Sequence, residues 1–317
     1  MVTAVSEPVR ITNDAYPALY QVADGSSVAG QRIYRRLVAA ELAFVLAGAA
    51  FAVLSAVVPT LQTLFLSLAA ASLIGGIAMK LINRQSGSDQ RWFDGRAVAE
   101  TVKTQAWRYM MRVAPYSSDA TADESFAGDV LGAMRARPAL EQALDRLPED
   151  PRQISSTMRA VRDLPLEGRL QLYLAERLSD QARWYKMRAV ENQVKGRRWF
   201  WLSLGSQVLA ASFAFVGVLV PGEAVANVIG LCAAVAAAAT AWGQLGRHDE
   251  LSKSYALAYQ ELITIQSLAG SVATEQDLDR LVANGEGAIS REHTMWMAKR
   301  LDSAGQLGRG GSAGLQR

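Results

Sequence analysis

The sequence predicts an all-α membrane protein: two transmembrane helical hairpins, over residues 38–58/61–79 and 199–220/225–243, joined to a cytoplasmic helical bundle and stalk. Three observations carry this. Charge is absent from Leu42 to Met79, from Trp199 to Gly222 and from Ala224 to Gly246. Each apolar segment is about 19–22 residues long, close to the ~20 that cross a hydrocarbon core. Lys and Arg gather at one end of both hairpins and are missing from the other.

The composition agrees. Of 317 residues, 50% are apolar and 20% charged, with a mean hydropathy of +0.07. A disordered chain would combine low hydrophobicity with high net charge, and here the formal charge is only +3. The single cysteine, Cys232, excludes a disulfide framework and Cys-based metal motifs. His248 and His293 are the whole histidine complement, too few for a histidine-rich metal site.

The first segment is preceded by Arg32, Arg35 and Arg36 and begins near Val38. About 36 mostly polar residues come before it, so it reads as an uncleaved anchor rather than a signal peptide. Glu41 is its one charge. One turn from the interface, it can snorkel or bond a nearby Arg, the alternative being a functional intramembrane acid. Pro59-Thr60 interrupts the run, and Lys80, Arg84 and Arg91 follow the second segment. Lys195, Arg197 and Arg198 precede the third, while Arg247 and Lys253 follow the fourth. Neither hairpin tip carries Lys or Arg, so both termini and the central region are expected on the cytoplasmic side. Trp199, Trp201 and Trp242 fall at that interface.

Small residues at four-residue spacing are candidates for close helix packing in lipid. They are Ala71 and Gly75, Ser72 and Gly76, and the series Gly230, Ala234 and Ala238. Gln62, Gln207 and Asn227 are intramembrane polar groups that can bond between helices or line a wet path.

The rest of the chain reads as helix. Arg91 to Arg112 forms one polar-rich helix ending before Pro115. Thr121 and Glu124 form a capping-box pattern ahead of Phe126, Val130, Leu131 and Met134. Leu140, Leu144 and Leu147 continue a stripe up to the Pro148–Pro151 turn. A boundary near residue 165 separates a first unit, 1–165, from a second, 166–301, with a flexible Gly-rich tail over 302–317. Leu166 to the end of the third segment contains no proline until Pro221 and can be one long helix. Leu251, Tyr255, Ala258, Leu262, Ile265 and Ala269 alternate at heptad spacing, so the helix leaving the fourth segment is expected to pair with it as an antiparallel stalk. Thr274 to Asp277 then caps a helix bearing Leu278, Leu281 and Val282, and Ala288 to Arg300 forms the last.

Enzyme readings are weak. Gly308-Arg309-Gly310-Gly311 lacks the strand-turn-helix setting of a phosphate loop. His248 and His293 each lack a second ligand at metal spacing, and Cys232 sits among membrane Ala and Val. No catalytic, cofactor or metal site is expected. Charges of both signs alternate, which argues against nucleic acid, and the basic clusters face lipid headgroups instead. Asp94, Arg96, Glu100, Lys103 and Arg108, beside Trp92 and Trp107, form either a packed ion-pair network or a docking surface.

The second half resembles the SLATT family, the two-transmembrane effector domains associated with SMODS and SLOG proteins. The residues are Tyr173-Leu174, Arg177-Leu178, Asp180-Gln181 and Trp184-Tyr185, then Asn192 and Arg197-Arg198. After the hairpin come Ala241-Trp242, Tyr255, Glu261-Leu262 and the run from Glu286 through Ser290-Arg291-Glu292-His293-Thr294-Met295-Trp296. The first half is similar to a different SLATT subtype, through Arg91-Trp92-Phe93-Asp94-Gly95-Arg96, Glu100-Thr101-Val102-Lys103 and Trp107-Arg108-Tyr109 directly after a hairpin. The resemblance implies an inner-membrane effector in bacterial conflict or defence. It also implies pores that open when a separate nucleotide-signalling or sensor protein, encoded nearby, is triggered. The spans of one chain carry no polar stripe sufficient to line a channel, so a homo-oligomer is expected. A membrane-anchored scaffold that docks a partner is the alternative.

Overall fold

The structure, a computed structural model, describes residues 11–137 and 152–291. Among these residues it contains helices and no strands. The expected stripe at Leu140, Leu144 and Leu147, the Pro148–Pro151 turn, Glu292, His293, Trp296 and the tail lie outside the described residues.

Prolines and glycines set the helix limits. Helix α1 runs over Ala18–Val57, between Pro17 and Pro59. It starts well before the first span because no proline interrupts 18–58 and its glycines are tolerated. A short turn at Pro59–Leu61 leads into α2, Gln62–Ser86. Gly87, in the left-handed region at φ +56°, stops α2 and lets α3 begin at Ser88. Helix α3, Ser88–Met110, ends in a Schellman pair: Val113 N–H donates to Arg108 C=O and Arg112 N–H to Tyr109 C=O. Arg112 takes the left-handed position at φ 56°, where glycine is usual.

Helices α4, Ala122–Arg135, and α5, Ser156–Arg162, follow. The expected side-chain cap at Thr121 does not form. The Thr121 and Ala122 N–H groups instead reach Ser118 C=O at 3.3 and 3.0 Å, so the preceding turn takes the donors. Helix α6 is continuous over Leu166–Leu219, from Pro165 almost to Pro221, with a π-helical stretch at Tyr173–Ser179. Helix α7, Glu223–Gly246, is separated from α8, His248–Ser267, by left-handed Arg247. A last described helix, α9, covers 275–291. Its start is a reciprocal capping box: Asp277 accepts from Thr274 N–H at 3.1 Å and Asp277 N–H donates to Thr274 Oγ1 at 3.2 Å.

The chain divides into two compact units, each assembled from both halves of the sequence. One, the membrane unit, comprises Gly30–Asp89 and Arg188–Lys253 and so contains all four apolar stretches. The other, the body, comprises the chain up to Ala29, Gln90–Met187 and the chain from Ser254.

In the membrane unit only 6–17% of the residues in each helix's most apolar stretch are buried within the protein. Leu64, Leu66, Ile74, Ile77, Phe215 and Val218 are among the exposed side chains. Such surfaces cannot face water at this density and are covered by lipid. In the body the core is formed by Trp107, Tyr109, Met110, Tyr116, Phe126, Tyr173 and Leu178, all below 2% exposed. Tyr255, Ala258 and Leu262 of the α8 stripe are buried there too. Tyr255 meets Trp184 at 5.2 Å between ring centroids and Gln266 Nε2 donates to Ser179 Oγ at 2.9 Å, so α8 runs antiparallel to α6.

Candidate functional site

Helix packing in the membrane unit rests on small residues. A Cβ on Gly75 would lie 2.8 Å from the Phe44 ring, and one on Gly48 would lie 3.2 Å from Leu73. Gly76 faces Phe44 and the Glu41 carbonyl at 3.6–3.7 Å, with Ser72 buried beside it. Ala71 is exposed. On α7 a Cβ at Gly230 would meet nothing within 4 Å. Ala236, Ala238 and Ala239 are buried, Ala234 is half-buried, and a Cβ at Gly243 would touch Trp199 at 3.3 Å.

Asn227 and Ser203 carry polar bonds between helices of the spans. Asn227 Nδ2 donates to Ala52 C=O at 3.0 Å, joining the two hairpins. Ser203 Oγ lies 2.8 Å from Thr240 Oγ1 and donates to Ala236 C=O at 3.2 Å, while Gln207 Nε2 donates to Ser203 Oγ at 3.2 Å. Gln62 is exposed at the start of α2. Glu41 faces Lys80 Nζ at 3.8 Å, so its cationic neighbour is the lysine that follows the second span and not an arginine.

The charged and aromatic residues of α3 divide by depth. Asp94 faces Arg137 at 3.6 Å, and Arg96 faces Glu100 at 3.7 Å. Trp92 stacks on Phe93 at 4.6 Å, and its carbonyl accepts from Ser27 Oγ at 2.9 Å. Gly95 lets α3 approach α1, since a Cβ there would stand 2.7 Å from the Ala23 carbonyl. About two turns on, Lys103 lies over the Tyr16 and Tyr20 rings at 5.3 and 5.8 Å. Burial first, then the Arg177 charge, lowers the Lys103 pKa. Trp107 is fully buried and donates to Tyr16 OH at 2.9 Å. Burial pushes the Tyr16 hydroxyl up to about 12. Arg108 is half-buried and acts on Tyr173 and Tyr116 through its charge. Trp184 and Tyr185 pack on one another at 5.3 Å.

Beneath Trp107 lies a group that sequence reasoning did not single out as a site. Glu286 is 0% exposed and bonded by Arg177 Nε and Nη2 at 2.9 and 2.7 Å, by Thr104 Oγ1 at 2.9 Å and by Tyr173 OH at 3.2 Å. Burial alone would lower the Arg177 pKa; the facing carboxylate reverses this and raises it. The π-helical stretch carries both Tyr173 and Arg177 to this point. Arg162 and Arg169 are also buried, and their guanidinium groups donate to the Tyr109 and Met111 carbonyls at 2.7 and 2.6 Å, at the end of α3. The Tyr109 carbonyl also accepts from Arg112 N–H, and both carbonyls lie at a helix C-terminus, where cations are favoured. Periodicity marks such arginines as polar, so only their contacts reveal them as core.

Two family models match the chain. SMODS and SLOG-associating 2TM effector domain 3 matches residues 17–170, and SMODS and SLOG-associating 2TM effector domain 1 matches residues 173–296. A comparison with curated proteins and one with solved structures each returned no match. Both matches fall on a span pair with the surrounding body helices, and together they cover most of the chain. The chain therefore belongs to the SLATT family, carrying two tandem SLATT domains of different subtype, and SLATT domains are two-transmembrane effector domains of bacterial conflict systems.

Proposed function

We propose that this protein is a non-enzymatic effector of the bacterial inner membrane that oligomerises and permeabilises it on a signal from a nucleotide-signalling or sensor partner. Both termini and the body then lie in the cytoplasm, the side that the positive-inside rule favours for the basic flanks. The carrying observation is the surface of the membrane unit: four helices whose apolar stretches are at most 17% buried within one chain. That leaves a large helix surface for further copies, and close packing of small residues is the means by which lipid-embedded helices associate. The polar groups of Ser203, Gln207, Asn227 and Thr240 are engaged within one chain, so the wall of a conduit has to be supplied by several subunits. Purified full-length oligomers in liposomes should release an entrapped dye when exposed to a trigger, and induction in cells should depolarise the membrane. Liposomes that stay sealed under every candidate signal would sink the pore reading.

The same engagement of polar groups favours a second reading, a non-conducting scaffold that holds the body near a partner. Replacing both hairpins by unrelated anchors separates the two. A scaffold keeps its activity after that exchange, and a pore loses it.

A further inference from the structure

The membrane unit contains a cavity of about 460 Å³ at the end of the spans that carries the basic flanks. This size falls in the ~300–1,000 Å³ range of small-molecule sites. Its lining on α6 is Lys195, Arg198, Trp199 and Leu202, whose spacing places them on one helical face. Helix α1 contributes Arg35; Trp242 and Leu245 come from α7. His248, at the start of α8, closes the lining. The wall therefore changes along α6 from two cations, through an indole, to a leucine.

The cations hold excess positive charge. Arg35 and Arg198 are exposed and enter no hydrogen bond or ion pair among the described residues. Lys195 is bound to Glu191 at 2.5 Å, but Arg188 holds the same carboxylate at 2.6 Å. Trp199 and Trp242 lie 6.3 Å apart between ring centroids. Such a wall repels the ammonium of a zwitterionic headgroup, and its apolar end has no use for a small soluble anion.

The histidine is locked in one tautomer. Asn192 Nδ2 donates to Arg188 C=O at 2.8 Å, which turns its Oδ1 toward His248 Nδ1, also at 2.8 Å. Nδ1 must then carry the proton, and Nε2 is left as a bare acceptor. The groups that act on the ring are Lys195 and Glu191 from α6, Arg35 from α1 and Asp249 from α8. Burial first, then Lys195 and Arg35, lowers the His248 pKa.

We propose that this cavity binds the phosphate headgroup of an anionic phospholipid, with Arg35 and Arg198 on the phosphate, Trp199 and Trp242 at the glycerol level and Leu202 toward the acyl chains. Charge-assisted bonds from guanidinium to phosphate are the strongest contacts such a site offers. The assignment rests on the membrane unit alone and stands whether or not a pore forms.

The test uses the full chain in neutral detergent micelles, titrated with phosphatidylglycerol, with phosphatidylcholine or with inorganic phosphate, bound lipid being counted by native mass spectrometry. The native protein is expected to prefer phosphatidylglycerol. The R35Q/R198Q variant is expected to lose about tenfold or more of that preference. R36Q/R84Q removes two cations outside the cavity and is expected to retain it. Equal losses in both variants, no preference for the anionic lipid, or inorganic phosphate displacing it at similar concentration would each overturn the proposal. A reading that needs no substitution comes from His248, which with His293 gives a two-residue histidine spectrum. A few equivalents of phosphatidylglycerol should raise its titration midpoint; an unmoved midpoint contradicts the site.

Discussion

Glu286 and Arg177 face each other with 0% and 2% of their side chains exposed, so neither can lose its partner without leaving a buried charge. Glu286→Ala is expected to cost about 3–5 kcal/mol, measured by unfolding of the detergent-solubilised chain. The double change Arg177→Met with Glu286→Leu should cost much less, because no charge is stranded. A double variant as unstable as the single would show that the packing, not the charge, is decisive. His248 supplies the pH dependence at this scale. Its folded pKa lies below the ordinary ~6.5 because burial and two cations disfavour the charged ring. Its contribution to stability is thus present above the ordinary value and lost as pH falls through the lowered one. His248→Gln should flatten that part of the stability profile; an unchanged acid limb would refute the assignment.

Among the elements, three glycines that look alike in sequence have different roles. Gly95 lies against the backbone of α1, with the Ala23 carbonyl and Ser27 N at 2.7 and 2.8 Å from a would-be Cβ. Backbone cannot swing aside, so Gly95→Ala should destabilise the body by about 1–3 kcal/mol. Gly75 meets a side chain, Phe44, at 2.8 Å, and Gly230 meets nothing within 4 Å. Gly75→Leu should therefore loosen the first hairpin, seen as lower thermal stability in detergent, and Gly230→Leu should leave it unchanged. The four-residue spacing of Gly230, Ala234 and Ala238 was legible in sequence, but which side of α7 meets a neighbour was not. Membrane helices rich in alanine present similar spacings on several faces.

At the level of the whole molecule, each compact unit draws on both halves of the sequence. Thr104 and Trp107 come from the first SLATT domain, Tyr16 from just before it, and Tyr173, Arg177 and Glu286 from the second, yet they share one core. We expect residues 1–165 expressed alone to be degraded or aggregated and to be rescued by co-expression with 166–317. Stable, monodisperse behaviour of the isolated first half would show that the shared core is dispensable. The two halves are then tandem in sequence but joint in folding.

The sequence by itself determined the helical class, the four spans and their basic flanks. These follow from charge-free length and from where proline and glycine stop a helix, both local properties. It also showed α8 as an amphipathic partner for α6, because one stripe at heptad spacing needs a facing surface. Tertiary structure alone decided what lies across from what. A buried Arg at 162, 169 or 177 and an exposed one at 35 or 198 look the same along the chain. Only the folded neighbours, a helix-end carbonyl, a carboxylate or an open cavity, give each guanidinium its role.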